Sequence, residues 1–131
     1  MRRVVVTGIG ILSSIGVNKN EVLDSLKQSK SGIEYREDFA EMGLKSQIAG
    51  SINVNLDEQI DRKLKRFMSD GIAYNYLAMK EAIEDSGLSE RDISSDRVGL
   101  IMGNGGGSPQ TVVYGADSLR EKGKVSPFLV T

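Results

Sequence analysis

A chain of 131 residues with 39% hydrophobic and 27% charged residues has the size and balance of one globular domain with a modest core. Its formal net charge of -1 excludes a generally basic nucleic-acid binder, so electrostatic steering has to come from a local patch. The absence of cysteine and histidine excludes disulfides, thiolate and imidazole metal ligands, a thiol nucleophile and an imidazole general base.

Arg2 and Arg3 ahead of an apolar run have the outline of a secretory signal, but Thr7, Gly8 and Gly10 break the run and no small-x-small cleavage site follows. No apolar run is long enough to cross a bilayer, so no membrane association is expected and the cytoplasm is the default location. The β-branched run Val4 to Val6 therefore reads as a central strand buried on both faces.

Gly8-x-Gly10-x-x-Ser13 follows that run and approximates the dinucleotide fingerprint, in which glycines let backbone amides approach a pyrophosphate at a helix N-terminus. Ser13 stands in for the third small residue, the helix begins late, and the expected acidic residue falls in an irregular stretch. A small dinucleotide-binding module stays open as an alternative. The spacing favours the other reading, in which the glycines let the chain leave a crowded strand under close packing.

Asn18 or Asn20 caps a helix carrying Val22, Leu23 and Leu26 on one face, with Ser31-Gly32 ending it. Glu34, Glu37, Asp38 and Glu41 make an acidic, exposed stretch, and Gln47 to Val54 reads as a strand or an extended loop. The periodicity then predicts one long helix from about Asp61 to Ser86, with Gly87 in the left-handed position that ends it. Leu64, Met68, Ile72, Tyr76, Met79 and Ile83 form one stripe; Phe67, Gly71, Tyr74, Ala78 and Ala82 form a second beside it. Two adjacent stripes predict a largely buried helix. On its first turns Arg62, Lys63 and Arg66 are three and four apart and converge on one face, while Leu64 and Phe67 point into the core. That basic patch is either a solvated face or a docking surface for an acidic partner or a phosphate.

Ser89 begins a short helical turn, and Arg97 to Met102 is the second predicted strand. It empties into Gly103-Asn104-Gly105-Gly106-Gly107-Ser108-Pro109, which leaves ligand space, lets another backbone approach, or is a mobile loop; it lacks the ending of a P-loop. Pro109 suits the first turn of a helix carrying Val112, Val113, Ala116 and Leu119, broken at Glu121-Lys122-Gly123-Lys124. This order of elements predicts an α/β layered arrangement with some parallel pairing. The chain stops in the apolar run Val125 to Thr131, which does not read as a domain boundary.

TGIGILSSIG near the N-terminus, SGI at 31 to 33, IDRKLKRFMSD at 60 to 70, EDSGLS at 84 to 89 and RVGLIMGNGGGSP at 97 to 109 together resemble the start of β-ketoacyl-acyl carrier protein synthases. The resemblance is closest to the elongating synthase I branch of bacterial fatty acid synthesis and runs in order along the whole chain. It implies a thiolase-like αβαβα layered fold, of which residues 1–131 form an incomplete N-terminal part, and a homodimeric enzyme without cofactor or metal. It also implies a decarboxylative Claisen condensation, in which an acyl group moves from its carrier to a cysteine and a malonyl-carrier carbanion attacks the thioester. The family's cysteine, two histidines and lysine fall beyond Thr131, so no catalytic residue is expected in this chain. Matched residue by residue, Arg62, Lys63 and Arg66 correspond to positions that meet the acidic acyl carrier protein. Gly106 corresponds to a position beside the acyl pocket, and Lys122 and Lys124 extend the basic surface in a loop that is short for the family. For the chain by itself, the resemblance leaves a noncatalytic carrier-docking or structural segment as the second alternative.

Overall fold

The computed structural model describes residues 3–129. They form two compact units: residues up to Val54 with Leu77–Leu88, and Asn55–Tyr76 with the residues from Ser89 onward.

In the first unit α1 spans Lys19–Lys27, β1 Ile33–Tyr35, α2 Glu37–Glu41 and β2 Ile48–Gly50. The Asn18 side chain accepts from the amides of Asn20 and Glu21, satisfying two of the donors that a helix start leaves open. This helix ends at Lys27, short of Ser31-Gly32, because Ser29 turns into the left-handed region at φ 53°. Strands β1 and β2 pair antiparallel with Ile33 opposite Gly50 and Tyr35 opposite Ile48, so the strand reading of Gln47 to Val54 holds for its first part. Val22 and Ser25 are the buried residues of α1, and the Ser25 hydroxyl donates to the Ile15 carbonyl at 2.6 Å.

The second unit holds α3 (Leu56–Gln59), α4 (Arg62–Lys65), α6 (Glu90–Ile93), α7 (Pro109–Lys122) and a 3-10 turn at Pro127–Leu129. Leu56 and Ile60 are buried, Ile60 to 3% exposure, and they anchor the short helices on either side of Asp61. Ser89 and Asp92 form a reciprocal capping box at the start of α6. The Ser108 hydroxyl accepts from the Thr111 amide with Pro109 in the first turn of α7, which closes at Gly123 in the left-handed conformation.

Helix α5, Asp70–Ser86, contributes its first turns to the second unit and the remainder to the first. It replaces the later part of the single helix expected from Asp61 to Ser86. The chain tightens after α4, with Phe67 and Met68 donating to Leu64 and Lys65, and the helix restarts where Ser69 offers its carbonyl to the Ala73 amide. Ser69 thus takes the capping position, and Asp70 in the first turn complements the helix dipole. Gly87 ends the helix at φ 68°, as its sequence position requires.

Two further expectations are corrected. Neither Val4 to Val6 nor Arg97 to Met102 forms a strand, and Val4 and Ile101 are each 95% exposed. The only sheet among the described residues is the antiparallel β1–β2 pair, so the expected parallel pairing is not seen there. The reason is the same for both: an apolar run becomes a buried strand only beside other strands, and among the described residues none pairs with either run. The wide apolar face expected of α5 is largely unburied as well: of its residues only Ala73 is buried. Among the described residues no helix is long and apolar enough to cross a membrane, and no group of acidic side chains is placed to hold a metal ion.

Candidate functional site

The opening glycine turn lies within the first unit. There the chain from Gly8 to Ile11 runs hard against the later turns of α5. A Cβ on Gly8 would stand 2.1 Å from the Ala82 carbonyl oxygen, and one on Gly10 would stand 1.8 Å from that of Ala78. Close approach is therefore what requires these two glycines, as the packing interpretation of the sequence expects.

The approach also decides what the turn binds. Glu81 and Asp85 are four apart on α5 and present carboxylates to the turn. The Ile9 amide donates to Asp85 Oδ2 at 3.0 Å and the Ile11 amide to Glu81 Oε2 at 2.8 Å, while the Lys19 amide donates to Glu81 Oε1 at 2.8 Å. The Lys19 ammonium pairs with Asp85. Hydrogen bonding from Lys19, and then from the Ile9 amide, holds the Asp85 carboxyl below its ordinary pKa. The amides that a pyrophosphate would need are filled by internal carboxylates, whose negative charge repels a phosphate. The neighbouring cleft, about 360 Å³, is walled mainly by Ile9, Ile11, Val22, Leu23 and Leu26, with Lys19, Asn20 and Asp85 at its polar side. This turn is a structural clasp.

The basic patch lies in the second unit. Asp61 caps α4 by accepting from the Lys63 amide at 2.8 Å, which sets the phase of the cations that follow. Arg66 closes the helix one turn from Arg62, with its amide on the Arg62 carbonyl at 3.4 Å. Arg62, Lys63 and Arg66 are all exposed, and none forms an ion pair with another described residue. Lys65 is different, because its ammonium is bound to Asp57 at 2.7 Å. The arrangement leaves three cations on one short helix available to an external anion.

Phe67 does not enter the core as its periodicity suggests. Its ring meets that of Phe128 edge to face, with centroids 5.2 Å apart, and the Arg66 guanidinium carbon lies 4.7 Å from one centroid and 4.9 Å from the other. Leu64 is also exposed. The aromatic neighbours of Arg66 escaped the sequence reading because Phe128 sits far along the chain; the Ser-Pro-Phe turn at 126 to 128 is the one local signal of an aromatic held in place.

Gly106 is exposed in the glycine loop, where its amide donates to Asn104 Oδ1 at 3.4 Å and an added Cβ would meet no heavy atom within 4 Å. Beyond the loop, a cleft of about 250 Å³ with mixed polar walls is bordered by Ser69, Asp70, Ser108, Thr111 and Tyr114.

The sequence profile of the family described as Beta-ketoacyl synthase, N-terminal domain, matches residues 1–131. The 3-oxoacyl-[acyl-carrier-protein] synthase 1 of Haemophilus influenzae is 52% identical over 134 residues, covering 100% of this chain and 33% of the relative. The protein of the same name from Escherichia coli K12 is 47% identical over 135 residues, with the same coverage. A crystal structure of a beta-ketoacyl synthase from Burkholderia phymatum superposes with a TM-score of 0.77 at 25% identity, covering 100% of this chain and 32% of that one. The chain thus spans about a third of the length of the curated relatives it matches. Over that span it has the α/β, thiolase-like arrangement of its structural neighbour, in spite of the two runs that do not form strands. On the match of its whole length to the family profile, the chain belongs to the β-ketoacyl synthase family, in the N-terminal domain and nearest the synthase 1 branch.

Proposed function

We propose that residues 1–131 serve as the N-terminal portion of a 3-oxoacyl-acyl carrier protein synthase that elongates fatty acids by decarboxylative Claisen condensation with malonyl-acyl carrier protein. The observation that carries this reading is the identity of 52% to the Haemophilus influenzae synthase 1 across the entire chain. In this reading Arg62, Lys63 and Arg66 receive the acidic carrier protein, which their exposure and the lack of an ion-pair partner among the described residues support. Gly106 leaves room for the growing acyl chain, and the complete enzyme works as a cytoplasmic homodimer without a metal or cofactor. The chain supplies neither the cysteine that would carry the acyl group nor the histidines that would assist decarboxylation and condensation.

A chimera tests this directly. Residues 1–131 are exchanged for the matching third of the Escherichia coli synthase 1, and 3-oxoacyl-carrier product is measured. The chimera is expected to condense and the 131-residue chain alone to give no product; a folded, dimeric chimera without turnover would count against the reading. In the same chimera, Gly106→Ile is expected to shorten the acyl chains accepted, and an unchanged chain-length profile would remove Gly106 from the pocket. For the chain alone, a docking role is the second reading. Three cations with no ion pair among the described residues favour it, and salt-sensitive capture of acyl carrier protein by the isolated chain is its test.

A further inference from the structure

Two arginines in this protein pack against aromatic rings, and they use their donors differently. Arg36 lies 5.7 Å from the Phe39 centroid, but each of its three guanidinium nitrogens has an internal acceptor: Nε and Nη2 each donate to Asp38 at 2.9 Å, and Nη1 donates to the Ser51 hydroxyl at 2.7 Å. That arginine ties one segment of the first unit together. Arg66 sits closer to its rings, in the corner between Phe67 and Phe128, and no carboxylate among the described residues accepts from it.

The corner restrains the side chain without using its donors. The guanidinium carbon and the two centroids form a triangle with sides of 4.7, 4.9 and 5.2 Å, and the rings meet at 77°. Attraction between a cation and the negative face of a ring grows as water is excluded, and a planar guanidinium stacks where an ammonium cannot. An exposed arginine normally loses much rotamer freedom on meeting a partner. One already lodged between rings has lost part of that freedom beforehand. Arg62 and Lys63, on the same turn, have no ring contact among the described residues.

From this we infer that Phe67 and Phe128 are positioning residues that hold Arg66 as a preset, planar fork for a carboxylate or phosphate of the acidic carrier protein. Arg62 and Lys63 act as mobile point charges that raise the encounter rate. The inference rests on the proposed docking role of the patch, and it assigns geometric selectivity within that patch to one cation and its two rings. Bidentate recognition needs a fixed plane, and the rings supply it.

The experiment measures affinity of the 131-residue chain for acyl carrier protein at low salt, with the far-ultraviolet spectrum of each variant checked against the parent. Arg66→Ala is expected to weaken binding about tenfold and Arg66→Lys nearly as much, because lysine keeps the charge but loses the fork. Phe128→Leu preserves apolar bulk and removes the ring; it is expected to weaken binding about threefold in the parent and to have no effect in the Arg66→Ala background. Phe128→Tyr retains the ring and is expected to bind as the parent does. If Phe128→Leu leaves affinity unchanged while Arg66→Ala weakens it, the positioning role is overturned and the docking role stands. Equal losses from Phe128→Leu in both backgrounds would also overturn it, since they report general packing. If alanine at Arg62, Lys63 and Arg66 together leaves affinity unchanged, the docking reading fails and this inference fails with it.

Discussion

At Gly8 and Gly10 a Cβ would lie 2.1 and 1.8 Å from backbone carbonyl oxygens of α5, whereas at Gly103, Gly105, Gly106 and Gly107 it would meet no heavy atom within 4 Å. Both stretches follow an apolar run, and both have the composition of a phosphate-binding turn. The first is glycine-rich because another backbone occupies the place of its side chains, and its amides are already bound to Glu81 and Asp85. The second stands open. A glycine run in a sequence therefore reports that side chains are missing, and only the surroundings tell whether that space is filled.

The contrast can be broken most decisively at Gly10. An alanine there has to displace the backbone of α5, and overpacking of this kind is expected to lower stability by about 2–3 kcal/mol. The urea midpoint of Gly10→Ala should fall accordingly, with Gly8→Ala close behind; an unchanged midpoint would mean that the turn does not press on the helix. Next in size is Glu81→Ala, which strips the acceptor from the Ile11 and Lys19 amides and is expected to cost about 1–2 kcal/mol. Glutamine at the same position keeps an acceptor oxygen and should recover part of the loss.

A smaller effect is expected from Asp85, and it depends on pH. Its folded pKa is depressed, first by the hydrogen bond from Lys19 and then by the Ile9 amide. Such a carboxylate contributes stability that is fully present above its unfolded pKa, about 3.9, and is lost as pH falls through the lower folded value. Asp85→Asn should therefore be less stable than the parent at neutral pH, and the two should converge in acid. Urea midpoints at several pH values check this, and a constant gap would show that the clasp does not depend on the Asp85 charge. The smallest effect belongs to the open loop. Gly106→Ala is expected to change stability by no more than about 0.5 kcal/mol, and a large loss there would erase the distinction between the two stretches.

Features decided by a few neighbouring residues were legible in the sequence. Asn18, Ser89 and Pro109 mark helix starts, and Gly87 and Gly123 mark ends, because capping and a left-handed turn need only local chemistry. The restart at Ser69-Asp70 carries the same kind of signal. It was overridden by apolar periodicity that continues across it from Leu64 to Ile72, even though the backbone is interrupted. Of the strands only β2, inside Gln47 to Val54, was legible, because pairing is a property of two segments: Val4 to Val6 has every intrinsic preference for a sheet and, among the described residues, no strand to join. At the candidate docking site the three cations could be read from their spacing. The aromatic corner around Arg66 could not, since Phe128 reaches it through the fold, and neither could the removal of Lys65 by Asp57.

The two extended apolar runs have a consequence for how copies of this chain behave at high concentration. Exposed apolar segments are templates for self-stacking into cross-β assemblies, and Val4 to Val6 and Val98 to Met102 are both apolar and exposed. Each is preceded directly by arginine, Arg2-Arg3 in one case and Arg97 in the other. Parallel, in-register stacking would set like charges about 4.8 Å apart at every layer, so these arginines act as gatekeepers. Chloride or phosphate at high concentration screens that repulsion. Raising the salt concentration therefore lowers the barrier to self-assembly.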